Sequence, residues 1–261
     1  MPAKPATDRA LDPEKGLQSG EVAGRGGRYH RPVEPVAVER VEARFELDVG
    51  PSEGSLRMDG RAAVERAGDI VDACVATADF DCCYFRAGLE LTVDGRSWTE
   101  QTFDHLWHLG GWFHGVRAAL ASGEGAEDVR TYVWDESSLL LSRAGDRILL
   151  SDEQVASGRY GARAADAAWM PIAVPDVALV RELVREGRAM QAAAGAIRRE
   201  IERRGFSLAA LAARIAPRGD MPRAALGDHE LVLAILAREV DVGHIWDDVD
   251  ALAAWLVTRG A

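Results

Sequence analysis

Two kinds of hydrophobic periodicity divide this chain of 261 residues near residue 175, and their order limits the folds that it can adopt. Before that point apolar and polar residues alternate in short runs, most strictly in Val41–Val49, which is typical of a half-buried β-strand. After Pro175 the apolar residues recur only at helical spacing. Strands followed by helices favour an α+β fold over an alternating parallel-sheet fold.

The patterns therefore predict an antiparallel sheet of about five strands packed by two helices, followed by an all-helical C-terminal subdomain. Strands are expected at 41–49, 82–93, 129–134, 139–142 and 147–151. The last three have connections too short for crossover helices, which favours antiparallel pairing. Asp94-Gly95 predicts a hairpin turn, because a type I′ turn requires two positive φ angles. Helices are expected near 59–75, 103–120, 175–204, 208–215, 228–240 and 245–258.

The same patterns suggest three regions. Residues 1–35 are rich in proline and glycine and have no apolar period, so we expect a disordered N-terminal tail. Residues 36–174 are expected to form the α+β sheet domain. Residues 175–261 are expected to form the helical subdomain.

Composition limits the environment and the partners. The chain has 42 acidic and 31 basic residues, a formal charge of −11, which makes nucleic acid and anionic membranes poor overall matches. No apolar run approaches the roughly 18–20 residues that span a bilayer. Three cysteines, two of them adjacent, make no disulfide framework, so we expect a reducing cytoplasm. Abundant Ala, Arg, Gly and Asp with little Lys suggest a bacterial source.

Three nearby histidines are the most prominent candidates for chemistry. Helical geometry separates His105 from His114 by roughly 180°, so one helix cannot direct His105, His108 and His114 at one metal ion. No zinc, phosphate-loop or dinucleotide motif occurs with the residue spacing and the neighbouring strand or helix that it requires. We therefore expect neither metal nor cofactor. The remaining prediction is a wetter helix face, formed by His105, His108 and Trp112, that contacts a partner.

An aromatic pair gives a second predicted partner-binding surface. Tyr132 and Trp134 lie two apart in a predicted strand and should share its outward face. With Asp135 and Glu136 beside them they would form an acidic aromatic patch suited to a basic protein.

No nucleophile, base and oxyanion donor can be assembled from the sequence, which argues against an enzyme. The first hypothesis is therefore a non-enzymatic bacterial binding protein, of the immunity or inhibitor type, that neutralises a basic protein through an acidic, aromatic surface.

Two alternatives remain open. The segment Ala196–Ile215 resembles the first two helices of a repressor-type helix-turn-helix, although Pro217, Gly219 and Pro222 argue against a third, recognition helix. A DNA-associated regulator would use seven arginines: Arg198, Arg199, Arg203, Arg204, Arg214, Arg218 and Arg223. The other alternative is an enzyme whose site is assembled from distant residues, with Asp104, His105, His108 and Cys83 as the first to test.

Overall fold

The computed structural model describes residues 34–50, 55–81, 84–99, 106–123, 128–134, 137–152, 170–215 and 222–260. Except for its last two residues, the tail predicted at 1–35 lies outside these ranges.

The described residues contain strands in both halves of the chain. In chain order they are β1 (Val36–Ala37), β2 (Val41–Val49), β3 (Leu56–Asp59), β4 (Asp79–Asp81), β5 (Phe85–Val93), β6 (Arg96–Ser97), β7 (Val129–Trp134), β8 (Ser137–Ala144), β9 (Arg147–Asp152), β10 (Ile172–Pro175) and β11 (Arg223–Ala225).

Two helices follow β3, one follows β6 and four follow β10. They are α1 (Gly60–Glu65), α2 (Ala67–Val75), α3 (Gly110–Ala121), α4 (Asp176–Arg203), α5 (Leu208–Ile215), α6 (His229–Glu239) and α7 (Gly243–Thr258). A 3₁₀ turn, Leu106–Leu109, precedes α3.

The strands form three sheets. A four-stranded antiparallel sheet has the order β3-β2-β5-β6, and a five-stranded sheet has the order β1-β10-β9-β8-β7. Only β1 and β10 pair in parallel in the latter. β4 and β11 form a two-stranded antiparallel ribbon. The turn between β5 and β6 has positive φ at Asp94 and Gly95, 46° and 79°, as the predicted hairpin requires.

The predicted α+β class is confirmed, and a five-stranded sheet is present, but the strands are distributed differently. The strands predicted at 41–49 and 82–93 belong to the separate four-stranded sheet. The three later predicted strands join β1 and β10 instead. Periodicity identifies the buried face of a strand but not its neighbour, so it could not divide the strands between two sheets.

Helix α4 connects the C-terminal helices to the four-stranded sheet. Its 28 residues span about 42 Å, and it contacts β2, α1, α2 and α7. Its buried stripe is the predicted one and includes Val180, Leu183, Met190, Ala194, Ile197 and Ile201.

Residues 32–261 group into one compact unit, while the boundary after residue 174 stays a prediction.

Two glycines bring α4 very close to its neighbours. A Cβ atom added at Gly60 of α1 would lie 2.8 Å from the Cβ of Ala189 in α4. A Cβ atom added at Gly187 of α4 would lie 2.7 Å from Cγ2 of Val249 in α7. Neither position has room for a side chain in the present packing, so both contacts depend on glycine.

Candidate functional site

The candidate site begins at an edge of β2 that no strand of the described residues covers. β3 pairs only with Glu46–Val49 of the nine-residue β2. It stops there because Asp59 begins α1, accepting a hydrogen bond from the Ala62 amide at 2.8 Å. The chain then leaves the sheet, and on that side the N-terminal half of β2 has no strand partner among the described residues.

Charged side chains of α4 occupy this edge. Glu182 accepts a hydrogen bond from the Ala43 amide at 3.1 Å, and Glu186 accepts one from the Phe45 amide at 2.6 Å. Arg185 donates to the Ala43 carbonyl at 2.6 Å. Because these three residues are three and four apart, they lie on one helix face.

Arg185 also joins the two carboxylates. It lies 2.8 Å from an oxygen of Glu182 and 3.0 Å from an oxygen of Glu186. We call Glu182, Arg185 and Glu186 the α4 clasp. The clasp satisfies backbone groups of an open sheet edge with side chains rather than with a neighbouring strand.

A groove of about 680 Å³ runs along the clasped edge. One wall is the α4 clasp, and another is the outward face of β2 and β5, where Glu42 lies opposite Thr92 and Arg44 lies opposite Glu90. The full lining is Glu42, Ala43, Arg44, Asp59, Gly60, Arg61, Glu90, Thr92, Glu182, Arg185, Glu186 and Ala189. A smaller cavity of about 320 Å³ shares Glu42 and Thr92 and extends to Arg40, Asp94 and Gly95.

The groove is charged, with an excess of negative groups. Five carboxylates and three guanidinium groups line it. Arg44 pairs with Glu46 at 2.9 Å, and Arg61 lies 3.6 Å from Glu65, so each has a carboxylate outside the groove lining.

The carboxylates of Glu42 and Glu90 face the groove and are free acceptors as far as the described residues are concerned. Neither has a hydrogen bond or ion pair with any residue in the described part of the chain. They project from the same sheet face at diagonal positions of the β2–β5 pair, because Glu90 lies opposite Arg44, two residues along β2 from Glu42. A cationic side chain could therefore approach both.

The wet helix face predicted for His105, His108 and Trp112 is wrong for the two members that the structure describes, His108 in the 3₁₀ turn and Trp112 in α3. Trp112 is 2% exposed and His108 is 6% exposed, while His105 lies outside the described residues. Trp112 packs edge-on against Trp98, with ring centroids 6.3 Å apart. The helix contacts β7, β8 and α7 at once, so its buried surface is wider than a single apolar stripe indicates.

The acidic aromatic patch stays a prediction. The backbones of Tyr132 and Trp134 belong to β7, but their side chains, together with Asp135 and Glu136, lie outside the described residues. The pairing of β7 with β8 shifts register between Tyr132 and Trp134. Such an irregularity interrupts the strict alternation on which a shared face depends.

Most of the seven arginines of the DNA-binding alternative have carboxylate partners. Arg218 lies outside the described residues, and Arg199 is exposed. The pairs are Arg198 with Asp241, Arg203 with Glu200, Arg204 with Asp72 and Glu200, Arg214 with Asp228 and Glu230, and Arg223 with Asp81. These carboxylates offset the positive charge that a phosphate backbone would need to meet.

Among the three cysteines of the chain, Cys74 is the one that lies within the described residues. Burial raises the pKa of the Cys74 thiol to about 12, which keeps it protonated and unreactive at neutral pH. Asp104, Cys82 and Cys83 lie outside the described ranges. Within those ranges no three His, Cys, Asp or Glu side chains are grouped to hold a metal ion.

No described helix combines the length and the apolar character needed to cross a membrane.

No protein-family model matches this chain, and no curated protein or solved structure is significantly similar to it.

The groove was not predicted from the sequence, although its strand residues carry a recognisable pattern. Alternation in Val41–Val49 and in the second strand placed Glu42, Arg44, Glu90 and Thr92 on wet strand faces. The α4 clasp had no local signal, because its hydrogen bonds join residues 139 to 142 positions apart.

Proposed function

We propose that this chain is a non-enzymatic binding protein, of the immunity or inhibitor type, and that its groove takes up a basic segment of another protein. The observation that carries the proposal is that Glu42 and Glu90, on the face of a groove with excess negative charge, have no hydrogen-bond or ion-pair partner among the described residues. Lysine or arginine side chains complement such a surface in both charge and hydrogen bonding.

The charge of the whole chain supports the same class of partner. A formal charge of −11 attracts a basic protein over distances longer than the groove itself and raises the rate of encounter. The contacts inside the groove would then determine how long the complex lasts.

The experiment titrates the ¹⁵N-labelled protein with a short oligolysine peptide and with an oligoglutamate peptide, followed by NMR. Oligolysine is expected to shift the amide signals of Glu42, Glu90 and Thr92, and oligoglutamate is not. The double variant Glu42→Gln/Glu90→Gln is expected to bind oligolysine up to about fivefold more weakly per carboxylate, since an exposed ion pair contributes up to about 1 kcal/mol.

A matched variant controls for the change in net charge. Glu202→Gln/Asp247→Asn also removes two exposed carboxylates without ion-pair partners among the described residues, but neither lies in the groove. It is expected to keep most of the wild-type affinity. Equal losses in the two double variants, or no loss in the groove variant, would count against the proposed function.

A capture experiment extends the test to whole proteins. Immobilised wild-type chain is exposed at low salt to a lysate of its source cells, beside the groove variant. A basic protein retained by the wild-type chain and lost from the Glu42→Gln/Glu90→Gln variant is the expected result. Retention of the same basic proteins by both chains would contradict a role for the groove.

A further inference from the structure

We infer that the groove binds its basic segment as an added β-strand, which pairs with the open edge of β2 in place of the α4 clasp. This inference rests on the proposed function and specifies the conformation of the bound segment. Its occupant is an extended peptide with basic side chains at alternate positions, supplied by the partner protein.

The first support is the direction of the backbone groups at this edge. The amides of Ala43 and Phe45 and the carbonyl of Ala43 point away from β5 and toward the groove, where the clasp binds them. Two amides separated by one intervening residue have the spacing of a strand ladder, about 6.8 Å. An incoming strand would meet donors and acceptors in the order that it requires.

The second support is the nature of the present partners. The Arg185 side chain is 57% exposed, and it is shared between one carbonyl and two carboxylates. Each backbone group would exchange a side-chain hydrogen bond for a backbone hydrogen bond, and Glu182 and Glu186, which are 16% and 14% exposed, would be released toward solvent and the incoming cations. The clasp thus protects the edge when the groove is empty without sealing it permanently.

The third support is charge. When a strand displaces the clasp, the carboxylates of Glu182 and Glu186 are released at the groove wall. Basic side chains on one face of the strand would lie toward Glu42 and Glu90, because successive side chains of a strand alternate between faces. The released clasp carboxylates would add further counter-charges beside the same segment.

The groove has the size of a binding site for such a segment. Its volume of about 680 Å³ lies within the range of about 300–1,000 Å³ that is usual for ligand pockets. It also lies beside the unpaired half of β2, next to the point where β3 ends.

The experiment compares two peptides of equal charge. One is an alternating Lys-Thr peptide long enough to cover Val41–Phe45, and the other is the same peptide with alternate backbone nitrogens methylated. Methylation removes the backbone donors of one edge and keeps every lysine. The unmethylated peptide is expected to bind about tenfold more tightly, since it alone gains strand hydrogen bonds. It should also slow hydrogen exchange at the Ala43 and Phe45 amides.

The outcomes distinguish failure of strand addition from failure of the proposed function. Equal affinities with continued dependence on Glu42 and Glu90 would overturn strand addition and leave the proposed function standing. Absence of binding by both peptides would overturn both. Unchanged hydrogen exchange at Ala43 and Phe45 in the presence of the unmethylated peptide would also overturn strand addition.

A substitution in the clasp gives an independent readout. Arg185→Ala frees the Ala43 carbonyl and is expected to raise the ratio of unmethylated to methylated affinity severalfold. Arg181→Ala removes the same charge from the same helix at a position that does not line the groove, and should leave that ratio unchanged. An unchanged ratio in a folded Arg185→Ala variant would contradict displacement of the clasp.

Discussion

At the residue scale, several carboxylates of this protein have structural partners and are not free surface charges. Glu182 and Glu186 accept hydrogen bonds from backbone amides of β2. Glu200, near the end of α4, accepts hydrogen bonds from Arg203 at 2.6 and 2.7 Å and from Arg204 at 2.8 Å. Such carboxylates contribute to the net charge of −11, but their oxygens are not free to bind a cationic side chain of a partner.

The hydrogen bonds from Arg203 and Arg204 lower the pKa of Glu200 from 4.5 to about 2. The folded state binds this proton less readily than the unfolded state, so the stabilisation is complete above about pH 4.5 and is lost as the pH falls toward 2. Glu200→Gln is expected to lower the free energy of unfolding at pH 7 by about 1–2 kcal/mol. Its urea-unfolding stability should also decline less than that of the wild type between these two pH values.

Glu202→Gln is the control, because Glu202 is exposed on the same helix and has no ion-pair partner among the described residues. It should reproduce the wild-type pH profile in this window. A Glu200→Gln profile parallel to that of the wild type would show that the arginine contacts do not stabilise the fold.

At the element scale, α4 is positioned by the absence of side chains as much as by its apolar stripe. Gly187 faces Val249 of α7 and Phe113 of α3, and an added Cβ atom would lie 2.7 and 3.0 Å from their nearest atoms. Gly195 lies on a more open side of the same helix, where an added Cβ atom would lie 3.3 Å from a terminal nitrogen of Arg199.

The two glycines are expected to respond oppositely to alanine. Gly187→Ala should destabilise the protein by about 1–3 kcal/mol, because overpacking exceeds the gain in helix propensity. Gly195→Ala should stabilise it by up to about 1 kcal/mol, since only a flexible arginine has to move. Urea denaturation of both variants measures the difference. Equal effects of the two substitutions would contradict the close contact at Gly187.

Local elements were predictable from sequence where one periodicity determined them. The buried stripe of α4 and the hairpin turn at Asp94-Gly95 follow the predicted pattern. Asp48 does not: alternation placed it on a wet strand face, yet it is 1% exposed and lies 2.7 Å from Arg86. Arg86 is its cross-strand neighbour in β5, and sequence pattern contains no information on that register.

The candidate site was less predictable than the elements for the same reason. Glu42 and Glu90 were on predicted strands, but their approach depends on the pairing of β2 with β5. The clasp depends on α4 reaching β2 from a position about 140 residues later in the chain. Only the fold brings these groups together.

At the scale of the whole molecule, the sheet residues and the C-terminal helices share one apolar core. The buried cluster joins Phe45 and Leu91 of the four-stranded sheet with Leu183 and Ile197 of α4. Helix α4 also closes the open edge of β2. The two predicted regions thus depend on each other for burial of apolar surface.

Dividing the chain at the predicted boundary should therefore prevent folding. A fragment of residues 36–174 is expected to be unfolded or aggregated, because it exposes the apolar surface that α4 covers and leaves the β2 edge unpaired. Circular dichroism and size-exclusion chromatography measure this outcome. A monomeric fragment with a cooperative thermal transition would establish residues 36–174 as an independent domain.

The glycine contact between α1 and α4 has a consequence for molecular recognition. Gly60 and Ala189 both line the groove. The contact between them leaves no space for a Cβ atom at Gly60, so α1 and α4 cannot approach each other further at this point. The width of the cleft is thus determined by the interior of the protein before any ligand arrives. Only the clasp side chains then have to rearrange when a segment binds, and a cleft with fixed walls discriminates by shape as well as by charge.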